Sequence, residues 1–166
     1  MITGCMPLLT ERTHGSLEAA AMMIQLTKNQ SDEIIAHARE AHPQECCGLI
    51  GGTSAGEANS LYRTRNIAPD PLVAYEAAPD DLFAAQRTMR ARGEQLLVIY
   101  HSHPRSEDPR PSPTDVRLAY YPSAVYFIVG LGDRKPCLRA FRISERDSRW
   151  EPVEFEIVES VPPLRQ

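Results

Sequence analysis

His101, His103, Ser112 and Asp115 crowd into the fifteen residues from His101-Ser-His103-Pro104 to Ser112-Pro-Thr-Asp115. Their types and spacing outline a metal site. The apolar run Leu96-Leu-Val-Ile-Tyr100 in front of them predicts a buried strand. Residues two apart on a strand share a face, so His101 and His103 can reach one ion. Asp115 would join them from beyond a proline-rich loop. Two imidazoles and a carboxylate are a ligand set that zinc accepts in catalytic sites, leaving one coordination position open. A blander reading covers the same residues. Ser112, Pro113 and Asp115 are N-cap, N1 and N3 signals of a helix start, and a histidine pair near a strand end is often a hydrogen-bonded surface feature.

Glu45 lies in His42-Pro-Gln-Glu45-Cys-Cys-Gly48-Leu-Ile-Gly-Gly52, between an amphipathic helix pattern and an apolar, glycine-ended strand pattern. Alone it reads as a solvated loop glutamate. Taken with the other two motifs, the order Glu, His-x-His-Pro, Ser-x-x-Asp resembles the JAMM (MPN-plus) metalloprotease family. The segments Pro43 to Gly51, Tyr100 to Pro104, Pro111 to Asp115 and Ala119-Tyr-Tyr-Pro122 are similar to its compact bacterial branch, and the likeness runs from about Leu26 to Val158. One departure stands out: eight residues, Pro104 to Pro111, separate His103 from Ser112, one more than that family usually has. The loop Arg105 to Arg110 is where such an insertion costs least closure entropy.

The resemblance implies a zinc held by His101, His103 and Asp115 and acting as a Lewis acid. Glu45 would exchange a proton between water and the leaving amine, and Ser112 would donate to the oxyanion. An N-cap serine would look identical in sequence. The implied substrate is an amide or isopeptide bond after the C-terminal glycines of a ubiquitin-like protein. For the compact bacterial branch this is a small sulfur carrier with a C-terminal Gly-Gly, whose tail would bind as an added strand. Arg105, Arg110 and Arg117 either meet a substrate carboxylate or are simply solvated. Alternatives remain: a catalytically inactive MPN-type scaffold, which would lack some of these ligands, and a zinc deaminase-like enzyme, which would need a P-C-x-x-C pair. Pro136-Cys137 is followed by Leu-Arg-Ala, so that pair is missing.

The elements that must position these groups fit one domain. The 166 residues suffice for one sizeable core. A net charge of −4 gives no duplex nucleic-acid or anionic-membrane footprint. No run approaches the ~18 apolar residues of a spanning helix. Cys5, Cys46, Cys47 and Cys137 show no paired spacing, and Met1 to Gly15 carries no signal-peptide pattern, so the cytoplasm is the expected location. The two adjacent cysteines read as small core residues rather than nucleophiles or ligands.

Residues 1–24 are expected to be a mobile extension, 25–160 the domain and 161–166 a tail. Helices are predicted over Ser31 to His42, from Pro79 to Gly93 and over Pro113 to Tyr120. Strands are predicted at 46–51, 58–65, 96–100, Ala124 to Leu131, Pro136 to Ser144 and Pro152 to Val158, with a short extended piece around Val73 to Glu76. The fold class that follows is α/β: a single layered domain with a mixed curved sheet flanked by helices. The expected partner is the carrier protein, with no nucleic acid and no membrane, and at most a second copy of the chain in a homodimer.

Overall fold

The structure, a computed structural model, describes residues 23–133 and 135–159. The tail 161–166 lies outside them, as does the expected extension except for Met23 and Ile24. Ile24 is already core: it opens strand β1 (Ile24–Thr27) and is buried. Ile24, assigned to the extension from the sequence, is thus part of the packed sheet.

Helix α1 (Lys28–Ala41) begins ahead of the expected Ser31 because Thr27 and Gln30 form a capping box. The Gln30 amide donates to Thr27 Oγ1 at 3.2 Å, and the Thr27 amide donates to Gln30 Oε1 at 2.8 Å. Two helix-terminal donors are thereby satisfied.

Six strands make the main sheet: β2 (Cys47–Gly52), β3 (Ala58–Thr64), β4 (Gln95–His103), β5 (Val125–Gly130), β6 (Cys137–Ser144) and β7 (Arg149–Val153). Their order is β3-β2-β4-β5-β6-β7, and β4 and β5 are its one parallel pair. A short strand β8 (Phe155–Val158) pairs in parallel with β1. Helix α1 covers one face through Ile34 and Ala38, which join Val98, Tyr100, Val125 and Phe127 in one apolar cluster. Helix α2 (Pro79–Ala91) covers the other through Ala85 and Met89, which join Leu49, Ile99, Tyr126 and Ile128. The mixed sheet with a helix on each face is the architecture the sequence implied.

A parallel pair cannot be joined by a tight turn. The chain therefore leaves β4 at His103 and returns to β5 only at Val125, and this crossover carries helix α3 (Pro113–Arg117). Gly48 lets two strands meet closely, since a Cβ there would collide with the ring of buried Tyr100.

Several expectations change. Helix α3 stops at Arg117 rather than Tyr120, ahead of Tyr121-Pro122, where proline disfavours helix in the residue before it. The extended piece at Val73 to Glu76 is a loop outside the sheets, held beside Asn66 by side-chain and backbone bonds and followed by an isolated Asn66–Ala77 bridge. The strand expected over Pro152 to Val158 divides at Glu154 between two sheets, and Pro152 sits in the edge strand β7, where a missing N–H is tolerated. Among the described residues no helix is long and apolar enough to cross a membrane.

Candidate metal centre and active site

Strand β4 carries both histidines within its own ladder, where His101 is registered against Cys47 on β2 and Ile128 on β5. The alternation expected of a strand puts both rings on the α2 face, at the end of β4 where the crossover begins. The two Nε2 atoms are 3.1 Å apart. Asp115 reaches them from α3, with Oδ1 3.3 Å from His101 Nε2 and Oδ2 3.2 Å from His103 Nε2. His101 and Asp115 are buried and His103 is partly so.

The helix start fixes Asp115. Its amide donates to Ser112 Oγ at 3.1 Å, and the Ser112 amide donates to Asp115 Oδ2 at 2.7 Å. The capping reading and the ligand reading thus describe one arrangement, since the cap aims the carboxylate at the rings. Ser112 Oγ acts in the cap as an acceptor, which leaves its own proton to donate elsewhere.

Burial works to raise the Asp115 pKa, but His101, His103 and the Ser112 N–H outweigh it and hold the carboxyl well below the usual range. Burial lowers the His101 pKa against the pull of Asp115. A neutral imidazole and an ionised carboxylate are the protonation states that a metal requires. The separations fit as well. Tetrahedral zinc with ligands at ~2.0–2.1 Å keeps neighbouring ligand atoms about 3.3 Å apart. Three electron-pair donors converge at this spacing, and neither imidazole can offer a proton to both of its neighbours.

Glu45 enters from the start of β2. Glu45, His101 and His103 each offer a ligand atom within 4.8 Å of the other two. It differs from Asp115 in state, for burial raises its carboxyl to about 7, with His103 lowering it and Asp115 raising it further. Its Oε2 is buried without a hydrogen-bond partner. The expectation of a solvated loop glutamate, open from its own segment alone, is overturned. All five residues singled out from the sequence, Glu45, His101, His103, Ser112 and Asp115, come together at one end of the sheet.

Three further residues support the site. Ser102, between the histidines, faces the opposite way; its Oγ accepts from the Cys46 amide at 2.8 Å, and its amide donates to the Cys46 carbonyl at 3.2 Å. Strand alternation could have revealed it, because a hydroxyl at that position must be buried and so must find a partner. Tyr75 stacks on His101, and Asn66 bonds the Glu45 carbonyl. Both lie in a turn-rich segment whose composition carries no such signal.

The arginines divide. Arg110 pairs with Asp108 at 2.9 Å and Arg117 bonds Thr114 Oγ1 at 3.1 Å, while Arg105 lines a groove with His42, Pro104, Glu107 and Leu131. Burial pushes the thiols up, Cys46 to about 12 and Cys47 to about 11, so neither offers a thiolate.

Comparison with known proteins agrees with this geometry. The family described as prokaryotic homologs of the JAB domain matches residues 27–144. The chain is 36% identical to the desampylase of Haloferax volcanii over 110 residues, covering 63% of this chain and 78% of that protein. It is 34% identical to the CysO-cysteine peptidase of Mycobacterium tuberculosis over 121 residues, covering 72% of this chain and 82% of that protein. A solution structure from Desulfitobacterium hafniense superposes with a TM-score of 0.73 at 36% identity, over 84% of this chain and 95% of that one. The chain belongs to the prokaryotic JAB-domain family, the compact prokaryotic branch of the JAMM/MPN fold.

Proposed function

We propose that this protein is a zinc-dependent peptidase of the JAMM type that hydrolyses an amide or isopeptide bond after the C-terminal glycines of a ubiquitin-like or sulfur-carrier protein. The observation that carries this reading is the convergence of His101 Nε2, His103 Nε2 and the Asp115 carboxylate within 3.1–3.3 Å, with a buried acid beside them. The names of the relatives, a desampylase and a CysO-cysteine peptidase, support the substrate class.

His101, His103 and Asp115 would hold the ion. Zinc, when bound, supplies Lewis acidity that makes water acidic near neutral pH and polarises a carbonyl. Glu45 accepts the proton of the attacking water on its carboxylate and returns it to the leaving nitrogen. Its burial suits the task, because a carboxyl near 7 both takes and gives a proton at neutral pH. The Ser112 hydroxyl donates to the oxyanion of the tetrahedral species, a contribution of ~3–4 kcal/mol when such a donor is preorganised.

The carrier tail binds extended, as an added strand. Strand β3 is the sheet edge nearer the histidines, with Thr64, Cys47 and His101 in register across β3, β2 and β4.

The direct test is to incubate the zinc-loaded protein with carrier proteins extended past their terminal Gly-Gly and to weigh the products by intact mass. Release of a carrier ending in Gly-Gly is expected, at least ~10²-fold slower from Glu45→Gln. Unchanged masses across ubiquitin-like and sulfur-carrier fusions would remove this reading.

A further inference from the structure

Asn66 fills every hydrogen-bonding position of its side chain. Nδ2 donates to the carbonyls of Glu45 at 2.9 Å and Ala74 at 3.0 Å, and Oδ1 accepts from the amides of Ala68 and Glu76, both at 3.0 Å. A primary amide has two donor hydrogens and two acceptor lone pairs, so nothing is left over for solvent or substrate. The chain it gathers is the connection between β3 and α2. Two backbone bonds, Ile67 N to Glu76 O at 2.8 Å and Ala78 N to Arg65 O at 2.9 Å, tie the ends of this connection together. Between these ends Asn66 ties Ala68, Ala74 and Glu76 together, and Asp70 closes the turn at Leu72.

Two of the four partners, Ala74 and Glu76, flank Tyr75, whose ring lies 4.4 Å from that of His101. Another partner is Glu45 itself. The Glu45 amide also ends on this connection, donating to the Pro71 carbonyl at 2.7 Å. Both peptide groups of the buried acid are therefore held by one loop, and the same loop lays an aromatic ring on the first histidine. Cys46, the next residue, is clamped from β4 by Ser102.

We propose that Asn66 is a positioning residue for the reaction, fixing Glu45 and Tyr75 together against the histidine pair through one amide. It touches neither substrate nor reacting atoms. The inference rests on the proposed role of Glu45 as the proton carrier, but the tether itself does not. Its rate consequence follows from geometry, because displacing a reacting group by about 1 Å can cost ~10²-fold in rate. Asn66→Asp is the telling substitution: it keeps both acceptor bonds, loses both donor bonds and turns a carboxylate oxygen toward the carbonyls of Glu45 and Ala74.

The experiment compares the wild-type protein with Asn66→Asp and Asn66→Ala by hydrogen exchange, bound zinc, and kcat and KM on a carrier fusion. The Glu45 amide and the 66–78 segment should exchange at least about tenfold faster in both variants, with β5 unchanged. Zinc per chain should be retained. The rate should fall in kcat by at least about tenfold, with KM moving less than about twofold. In a Glu45→Gln background Asn66→Asp should cost less than about twofold more, since it acts through a group already disabled. Unchanged exchange at Glu45, faster exchange throughout the sheet, an effect confined to KM, or equal losses in both backgrounds would each overturn the proposal. Should the wild-type protein cleave no fusion, the functional reading falls while exchange at Glu45 still decides the tether.

Discussion

The ring of Tyr75 lies nearly parallel to that of His101, with centroids 4.4 Å apart and 23° between the planes. His103 meets the same imidazole edge-on, with centroids 4.9 Å apart and 64° between the planes. His101 is thus walled in and cannot swing away from its position. Tyr75→Phe should retain the stack and with it wild-type zinc content and stability. Tyr75→Ala should cost about 2–3 kcal/mol, less than a fully buried aromatic, and weaken zinc about tenfold or more. Denaturant melts and chelator competition measure the two effects.

Removing a ligand should remove the metal. His103→Ala is the cleanest case, because His103 is partly exposed and its loss leaves the sheet ladder intact. Zinc per chain, read by elemental analysis, should fall from about one to near zero. Asp115→Ala should do the same and also release the helix start that Asp115 shares with Ser112.

Glu45→Gln should keep zinc and fold and lower kcat by ~10²–10⁴. Stability supplies a second signature. The folded carboxyl sits at about 7 against an ordinary value of 4.5, so between these values the native state binds more protons than the unfolded chain. The stabilisation is complete below the unfolded value and is lost as pH rises through the folded one. In metal-free protein, Glu45→Gln should therefore gain on the wild type between pH 5 and pH 8, by up to about 3 kcal/mol. Urea melts at several pH values decide it, and a difference independent of pH would mean that Glu45 is ionised when folded.

Capping and catalysis can be separated at Ser112. Glycine caps a helix within a few tenths of a kcal/mol of serine but carries no hydroxyl. Ser112→Gly should leave the melting temperature nearly unchanged while kcat falls ~10²–10³-fold. Ser112→Thr should restore much of the rate. Equal rates in the glycine variant and the wild type would confine Ser112 to the cap.

Asp108 anchors the loop between His103 and Ser112, where the extra residue is expected. It pairs with Arg139 of β6 at 2.6 Å as well as with Arg110 at 2.9 Å, and Gly132 N donates to Ser106 O at 3.0 Å. The loop is thus tied to the β5–β6 hairpin as well as to its own flanks. Asp108→Ala should leave zinc unchanged, because the Ser112 cap holds Asp115, and should cost at most about 1 kcal/mol for a half-exposed pair. Its effect should appear in KM or in the choice of carrier. Loss of zinc would make the loop part of the metal site.

The histidine strand, both flanking helices and four of the five candidate side chains, His101, His103, Ser112 and Asp115, were legible from the sequence because each rests on short-range signals: an apolar run, a period of two, an N-cap with its N3 acid. Glu45 was the exception, since nothing within its own segment distinguishes a buried acid from a solvated one; the motif order supplied it. Ser102 was readable in principle from strand alternation. Asn66 and Tyr75 were not, because Asn66 gathers irregular backbone groups of its own connection together with Glu45, 21 residues away, and Tyr75 stacks on a ring of another element. A side chain that replaces secondary structure by bonding four loop groups leaves no periodic trace. The Thr27 capping box was present as T-x-x-Q but ahead of the apolar stripe, so the pattern placed the start of α1 late.

Because His101, His103 and Asp115 all precede β5 in the chain, every proposed ligand has left the ribosome before the strand that pairs beside β4. Helix α3, at five residues, is too short to persist alone. It acquires a fixed place only when β5 docks beside β4 and the crossover closes beneath it. A chain ending just past Asp115 would carry all three proposed ligands and should hold no zinc. Zinc held by the proposed ligands would then join the completed fold alone and stabilise it by mass action, about 2.7 kcal/mol when free metal is a hundredfold above its dissociation constant. Metal uptake by these three residues should then mark the end of folding, and withdrawing the metal should loosen the late-formed crossover before the sheet, as hydrogen exchange over 104–124 against β4 would show.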